Sequence, residues 1–160
     1  MTRVSSYVAA LACLTLTALA LPRDAPGQAG SPAPSSQAPA SPAAPSLNFE
    51  FFKAKVQPVF LARRPGHARC VVCHTVNNAP FHLVSLSPGS ATWNEAQSRQ
   101  NFELVQRVVV PGYEGSRLLT HPLAEQAGGD PHHGGGQQFA SQDDPEWSTL
   151  KAFVFGATLK

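Results

Sequence analysis

The sequence predicts a mainly α-helical domain at residues 47–160, preceded by a segment that does not fold. Apolar residues recur at helical spacing in several stretches after Leu47, and prolines and glycines separate these stretches. Residues 22–46 consist almost wholly of Pro, Ala, Ser, Gly and Gln, which is too little apolar bulk to offset the entropy of ordering them. With 160 residues, of which 42 % are hydrophobic, the chain can build one modest core.

The N-terminus has the pattern of an export signal. Arg3 precedes an apolar stretch that ends at Leu21, and the small residues Ala18 and Ala20 flank Leu19 as in a cleavage site. We therefore expect a signal peptide at 1–20, a disordered Pro/Ala/Ser-rich linker at 21–46 and a folded domain at 47–160, in a periplasmic or secreted protein. The alternative is an uncleaved segment that tethers the protein to the membrane with the domain facing the periplasm. Membrane contact is expected only in that case.

Two helices are predicted in the first half of the domain. Asn48 is a suitable N-cap for the first helix, which Pro58 should kink or interrupt. Thr92 and Glu95 have the spacing of a capping box for the second helix, which should end before Pro111.

Two further helices are predicted after Pro111. A short one should have Ser116 as its cap and end before Pro122. The last one should have Asp144 as its cap and Pro145 at its first position. The predicted stripe of this helix follows the i, i+3, i+4, i+7, i+8 spacing and comprises Trp147, Leu150, Lys151, Val154 and Phe155.

The stretch RCVVCHTV, residues 69–76, contains the motif C-x-x-C-H at Cys70, Cys73 and His74, which is typical of covalent haem attachment. Thiols at i and i+3 lie on the same side of one helical turn, where each can add to a vinyl group of the porphyrin. The adjacent imidazole of His74 is then suited to be the proximal iron ligand. The only other cysteine, Cys13, lies in the predicted signal peptide.

Two other sites use paired cysteines of this spacing. A structural zinc site normally needs four protein ligands, and the folded part offers only two thiols, so a distant histidine would have to complete it. A thioredoxin-like dithiol belongs in a βαβ unit, whereas the surrounding pattern here is helical. The sequence therefore favours haem c, one group per chain.

The stretches FLARRPGHARCVVCH, LSPGSATW, SRLLTHPLAEQAGGD and DDPEW resemble a known family. The chain resembles class I mono-haem c-type cytochromes and is similar, more narrowly, to secreted cytochrome c domain proteins of the planctomycete type. The resemblance covers nearly all of residues 47–160. It implies a cytochrome c-like helical domain around one covalently bound haem, and a role in electron transfer.

The second axial ligand is less evident, because the methionine usual in this group is missing: Met1 is the only methionine. The candidates are His121, His132 and His133, or no protein ligand. The glycines around the last two allow close approach of the backbone to a flat ligand. In the sequences that this chain resembles, the histidine directly before the glycine run recurs, which favours His133, with His121 and His132 as alternatives.

The function expected from these features is that of an electron-transfer cytochrome with two histidine ligands, rather than an enzyme. The alternative is a five-coordinate haem protein that acts as a peroxidase or gas sensor. A redox protein is the expected partner. A net charge of +2 without a dense basic run argues against nucleic acid. Basic side chains before the motif could attract an acidic partner: Lys53, Lys55, Arg63, Arg64 and Arg69. Candidate donors to the haem propionates are Arg69, Arg117 and Trp93.

Overall fold

The structure is a computed structural model that describes residues 43–76 and 81–160. The predicted signal peptide and residues 21–42 of the predicted linker lie outside the described residues. The prediction of a mainly helical domain is confirmed, since in these two ranges the only β-type pairing recorded is an isolated parallel bridge between Leu123 and Phe139. None of the helices in the described ranges has the length and apolar character needed to cross a membrane.

Helix α1 runs from Phe49 to Leu61 and changes its hydrogen-bonding register midway. The predicted cap is confirmed, because Asn48 Oδ1 accepts a hydrogen bond of 2.8 Å from the Phe51 amide. Pro58 lies just after a π-helical turn, so the backbone N–H that proline lacks falls near the change of register. The helix continues past Pro58 to Leu61. The three parts of α1 are Phe49–Phe51 (α), Phe52–Val56 (π) and Gln57–Leu61 (α).

Helix α2, Cys70–His74, is a single turn that consists of the C-x-x-C-H motif. Its Val71 is buried, while Val72 on the other side is half exposed. The motif is thus anchored to the core through one apolar side chain, and the segment before it, residues 62–69, connects it to the end of α1.

Helix α3 spans Glu95–Gln106, and its predicted capping box is wrong by two residues. The cap is Asn94, whose side chain accepts a hydrogen bond from the Gln97 amide while the Gln97 side chain accepts one from the Asn94 amide. Asn is as good a cap as Thr. Trp93, expected inside the helix, lies before it, and its buried indole Nε1 donates to the Val84 carbonyl at 2.7 Å.

Two α-helices follow in the second half, α4 at Arg117–Thr120 and α5 at Pro145–Val154, with a short 3₁₀ helix at Glu125–Ala127 between them. Ser116 precedes α4 as predicted, but its hydroxyl bonds the backbone of Val110 instead of capping the helix. The start of α5 agrees with the prediction, because Asp144 Oδ1 accepts hydrogen bonds from the amides of residues 146 and 147 and Pro145 is the first helical residue.

The predicted apolar stripe of α5 is only partly correct. Trp147, Leu150 and Val154 are buried, and so is Phe153, which the prediction omitted. Phe155 is 42 % exposed, because α5 ends at Val154 and the helical period no longer applies to it. The three long helices meet at one aromatic cluster, in which Phe52 of α1 lies 5.4 Å from Phe102 of α3 and 5.6 Å from Phe153 of α5, ring centroid to ring centroid.

Candidate functional site

A cavity of about 270 Å³ lies beside the motif helix α2. Eight of its thirteen lining residues are apolar, among them Phe60 at the end of α1, Phe139 and Leu150. The other five are Cys70, His74, Arg117, His121 and His133. Four of the predicted site residues therefore line one apolar cavity, which is the usual character of a site for a large organic cofactor: Cys70, His74, His121 and His133.

The two cysteines of the motif differ in their surroundings. Cys70 lines the cavity and is partly buried, whereas Cys73 is exposed. Burial raises the pKa of the Cys70 thiol, and the nearby Arg64 guanidinium partly opposes this by favouring the thiolate. A Cβ built at Gly135 would be 3.9 Å from Cys73 Sγ, so the loop that carries His133 passes close to the second thiol. Both thiols are free.

His74 is held by the backbone that follows the motif. Its Nδ1 lies 2.7 Å from the Phe81 carbonyl oxygen, and its ring centroid is 4.8 Å from that of Phe81. A carbonyl oxygen only accepts hydrogen bonds, so Nδ1 must carry the proton and Nε2 keeps its lone pair in the neutral ring. Burial lowers the pKa of His74, which favours this neutral form.

His133 has the same arrangement. Its Nδ1 lies 2.6 Å from the Gly136 carbonyl oxygen, so Nδ1 donates and Nε2 is left with its lone pair. Burial again lowers the pKa. The ring centroids of His74 and His133 are 6.2 Å apart, and the ring planes are 19° from parallel. The structure therefore brings together two neutral imidazoles whose Nδ1 atoms are both occupied.

The alternative His121 belongs to a polar group at the same cavity. Its Nδ1 lies 2.8 Å from Asp130 Oδ2, and Arg117 approaches the same carboxylate at 3.6 Å. The hydrogen bond from His121 lowers the pKa of Asp130. The His121 ring meets the His133 ring edge-on, with 4.8 Å between centroids. His121 is thus a direct neighbour of His133, held by a carboxylate where His133 is held by a carbonyl.

The remaining candidates are placed differently. His132 is exposed and does not line the cavity. Among the candidate propionate donors, Arg117 lines the cavity, while the indole N–H of Trp93 is already donated to a backbone carbonyl.

Several contributors to the site had no signal in the sequence. The Phe81 and Gly136 carbonyls that orient the two imidazoles are backbone groups, and any residue type supplies them. Asp130 lies nine residues from His121, a separation without a local periodicity. Arg117 is the exception, because it is four residues from His121 across a single helical turn and this spacing is readable in the sequence.

Arg64 was expected to lie on a solvated basic face and instead is mostly buried beside α2. It pairs with Glu146 of α5, and its guanidinium lies 4.8 Å from the Phe139 ring centroid. It therefore joins the segment before the motif to the last helix.

In residues 43–76 and 81–160, no group of three or more His, Cys, Asp or Glu side chains is arranged to hold a metal ion by itself. Comparisons of the chain with protein-family models, with curated proteins and with solved structures find no match.

Proposed function

We propose that the protein is a mono-haem c-type cytochrome that transfers electrons, in which Cys70 and Cys73 would attach haem c and His74 and His133 would be its iron ligands. One observation carries this proposal: two neutral imidazoles lie 6.2 Å apart at an apolar cavity, directly beside a pair of cysteines with the spacing of a haem attachment motif.

The separation of the two rings fits a single iron between them. Metal–imidazole bonds are about 2 Å long, so two imidazoles that held one metal ion would have ring centroids no more than roughly 6 Å apart. The observed distance is 6.2 Å. A haem needs only these two protein ligands, because the porphyrin supplies the other four. A group of three or more protein ligands is therefore not required.

The hydrogen bonds at Nδ1 also fit iron ligation. A metal-bound histidine normally donates its other ring N–H to a carbonyl or carboxylate, which fixes the tautomer and the ring orientation. His74 and His133 both do so, to the Phe81 and Gly136 carbonyls. An exposed histidine such as His132 offers no comparable pre-arrangement.

In this proposal the haem supplies a one-electron redox couple, and the chain's own residues hold and tune it. The two thioethers retain the group permanently. The apolar lining, with Phe60, Phe139 and Leu150, limits the access of water and so disfavours the more highly charged state of the site. Since a methionine ligand raises the potential of a cytochrome, two imidazoles should give a lower reduction potential than a Met/His relative has.

His121 supports an alternative function at the same cavity. Its ring is adjacent to that of His133 and is oriented by Asp130, as a general base often is. If His133 did not bind iron, His121 would either replace it or face an open coordination position. The second case corresponds to a peroxidase or gas sensor.

The decisive experiment has two readouts on protein matured in a host with haem-attachment machinery. Mass spectrometry should show one covalently added haem, and the visible spectrum should be low-spin in both oxidation states and unaffected by CO. An unmodified mass, or zinc in place of iron, would overturn the haem assignment. A high-spin spectrum that changes with CO would replace the electron carrier by the five-coordinate alternative.

The proposed partner is a redox protein with an acidic contact surface. Two of the five cations expected to attract it are neutralised within the chain, since Lys53 pairs with Glu50 and Glu95 and Arg64 pairs with Glu146. Attraction would depend on the other three, Lys55, Arg63 and Arg69, and the association rate should fall with salt. The N-terminal pattern supports a periplasmic or secreted protein, and N-terminal sequencing of the mature chain distinguishes cleavage from a retained membrane tether.

A further inference from the structure

The segment of residues 81–85, hereafter the support segment, contacts His74 through its backbone. The Phe81 carbonyl accepts the hydrogen bond of 2.7 Å from His74 Nδ1, and the Leu83 amide donates one of 2.6 Å to the His74 carbonyl. The Leu83 side chain is fully buried. The orientation of the His74 ring therefore depends on where the support segment lies.

Side chains in and next to α3 hold the other end of the support segment. In the described parts of the chain no strand pairs with this segment, so its backbone groups need other partners. The Val84 amide donates to Asn101 Oδ1 at 2.7 Å, and Trp93 Nε1 donates to the Val84 carbonyl at 2.7 Å. The Gln97 side chain donates to the Ser85 carbonyl at 2.9 Å, in an exposed position where water competes. The two bonds at Val84 are therefore the better protected ones.

Asn101 is a polar residue on the buried face of α3. It is 0 % exposed, and its neighbours one helical turn away on either side, Ser98 and Val105, are buried as well. A buried amide side chain lowers stability unless it is hydrogen-bonded, so an apolar residue is the ordinary choice at such a position. The Val84 N–H can only donate, so the Asn101 atom that faces it must be the amide oxygen. The contact with the support segment therefore fixes the orientation of the Asn101 side chain.

We propose that Asn101 is a positioning residue for the His74 imidazole, which it reaches through the support segment and the Phe81 carbonyl. The arrangement of His74 stands by itself, whereas its consequence for an iron ligand rests on the proposed function. A histidine that donates its Nδ1–H to a fixed carbonyl is a more basic metal ligand. Without the Asn101 oxygen the Val84 amide loses its partner, and the support segment must shift to let water replace it. The Phe81 carbonyl then holds the His74 ring less firmly.

The test compares Asn101→Leu, which is similar in size but has no acceptor, with the unchanged full chain carrying ferrous haem. NMR measures the solvent exchange of the Val84 amide proton and of the His74 Nδ1 proton, and both should exchange about fivefold faster in the variant. The reduction potential should shift upward, because a less basic imidazole stabilises ferric iron less. Unchanged exchange of the His74 Nδ1 proton in Asn101→Leu overturns the proposal.

Two further variants separate positioning from stability. Ser98→Ala is the matched control, because it removes a buried hydroxyl from the same face of α3 whose partner is Gln57 Oε1 and not the support segment. It should reduce the free energy of unfolding but leave the exchange of the His74 Nδ1 proton unchanged. Asn101→Asp retains an acceptor oxygen and should keep this exchange slow. If Ser98→Ala accelerates the exchange as much as Asn101→Leu does, Asn101 has a merely structural role and the proposal is wrong.

The same measurement distinguishes failure of this proposal from failure of the proposed function. If the matured chain carries no haem, the proposed function is wrong, and exchange in the haem-free chain decides the role of Asn101. A His74 Nδ1 proton without protection in that chain overturns the positioning role as well. If Asn101→Leu does not fold, Trp93→Phe takes its place, because it removes the donor to the Val84 carbonyl and should accelerate the same exchange. Unchanged exchange in Trp93→Phe then overturns the proposal.

Discussion

The imidazoles of His74 and His133 lie 6.2 Å apart although 133 − 74 = 59 positions separate them in the sequence. One ring is on the short helix α2 and the other is in a glycine-rich loop, and each is fixed by a hydrogen bond from Nδ1 to a backbone carbonyl. The relationship is specific, because the adjacent His132 is exposed.

Replacing His133 by Ala should convert the low-spin haem spectrum into a high-spin one that changes when CO is added, because an axial nitrogen is lost. His132→Ala is the matched control and should keep the spectrum of the unchanged protein, since its ring does not line the cavity. Visible spectra of the ferric and ferrous variants measure both. If His133→Ala stays low-spin and the further change His121→Ala makes it high-spin, His121 is the distal ligand.

Substitution of the two cysteines should show that each of them forms its own thioether bond to the haem. Cys70→Ala and Cys73→Ala should each retain haem through one thioether, whereas the double variant should lose haem under denaturing conditions. Denaturing gel electrophoresis with haem staining, together with intact mass, is the measurement. Covalent haem in the double variant would contradict the attachment sites.

Loss of the N-cap of α5 should lower the free energy of unfolding without changing any of the proposed haem-binding residues. Asp144→Ala removes the acceptor for the amides of Glu146 and Trp147 and should reduce the free energy of unfolding by about 1 kcal/mol. Asp143→Ala removes the same charge from an exposed side chain next to it and should have a much smaller effect. Denaturant unfolding of both variants checks this, and equal losses would mean that charge, not capping, is responsible.

Two glycines of the loop that leads to the site should differ in their tolerance of a side chain. A Cβ at Gly129 would overlap the Leu123 carbonyl, so Gly129→Ala must displace backbone and should cost about 1–3 kcal/mol or more. A Cβ at Gly134 meets no atom within 4 Å, so Gly134→Ala should cost much less. Thermal or denaturant unfolding compares them, and similar losses would show that the turn at 123–129 is not as tight as described.

The His121–Asp130 pair should make stability depend on pH in the acid range. The hydrogen bond from His121 holds the pKa of Asp130 below its usual value of 3.8 in the folded state. A lowered folded pKa stabilises the fold at pH values above 3.8, and this stabilisation is lost as the pH falls from 3.8 through the lower folded value. The difference in unfolding free energy between the unchanged protein and Asp130→Asn should therefore shrink below pH 3.8. A difference that stays constant to lower pH would contradict this.

The sequence by itself determined the features that depend on near neighbours. The C-x-x-C-H turn and the caps Asn48 and Asp144 involve residues within four positions of each other, where helical geometry decides which groups meet. The cap of α3 was predicted two residues early, because Thr92 and Asn94 are both suitable by local criteria. In the structure Asn94 makes the capping hydrogen bonds with Gln97, and Trp93 is buried ahead of the helix.

The sequence favoured His133 through the resemblance and its neighbouring glycines, and the tertiary structure decided which histidine approaches His74. His121, His132 and His133 offer the same imidazole ligand, and no local periodicity connects any of them to α2. Packing of the 117–139 region against the cavity turns His132 outward, and it brings His133 within 6.2 Å of His74. The backbone carbonyls that select the tautomers are supplied by the fold and not by a residue type, which is the physical reason that spacing alone left three candidates.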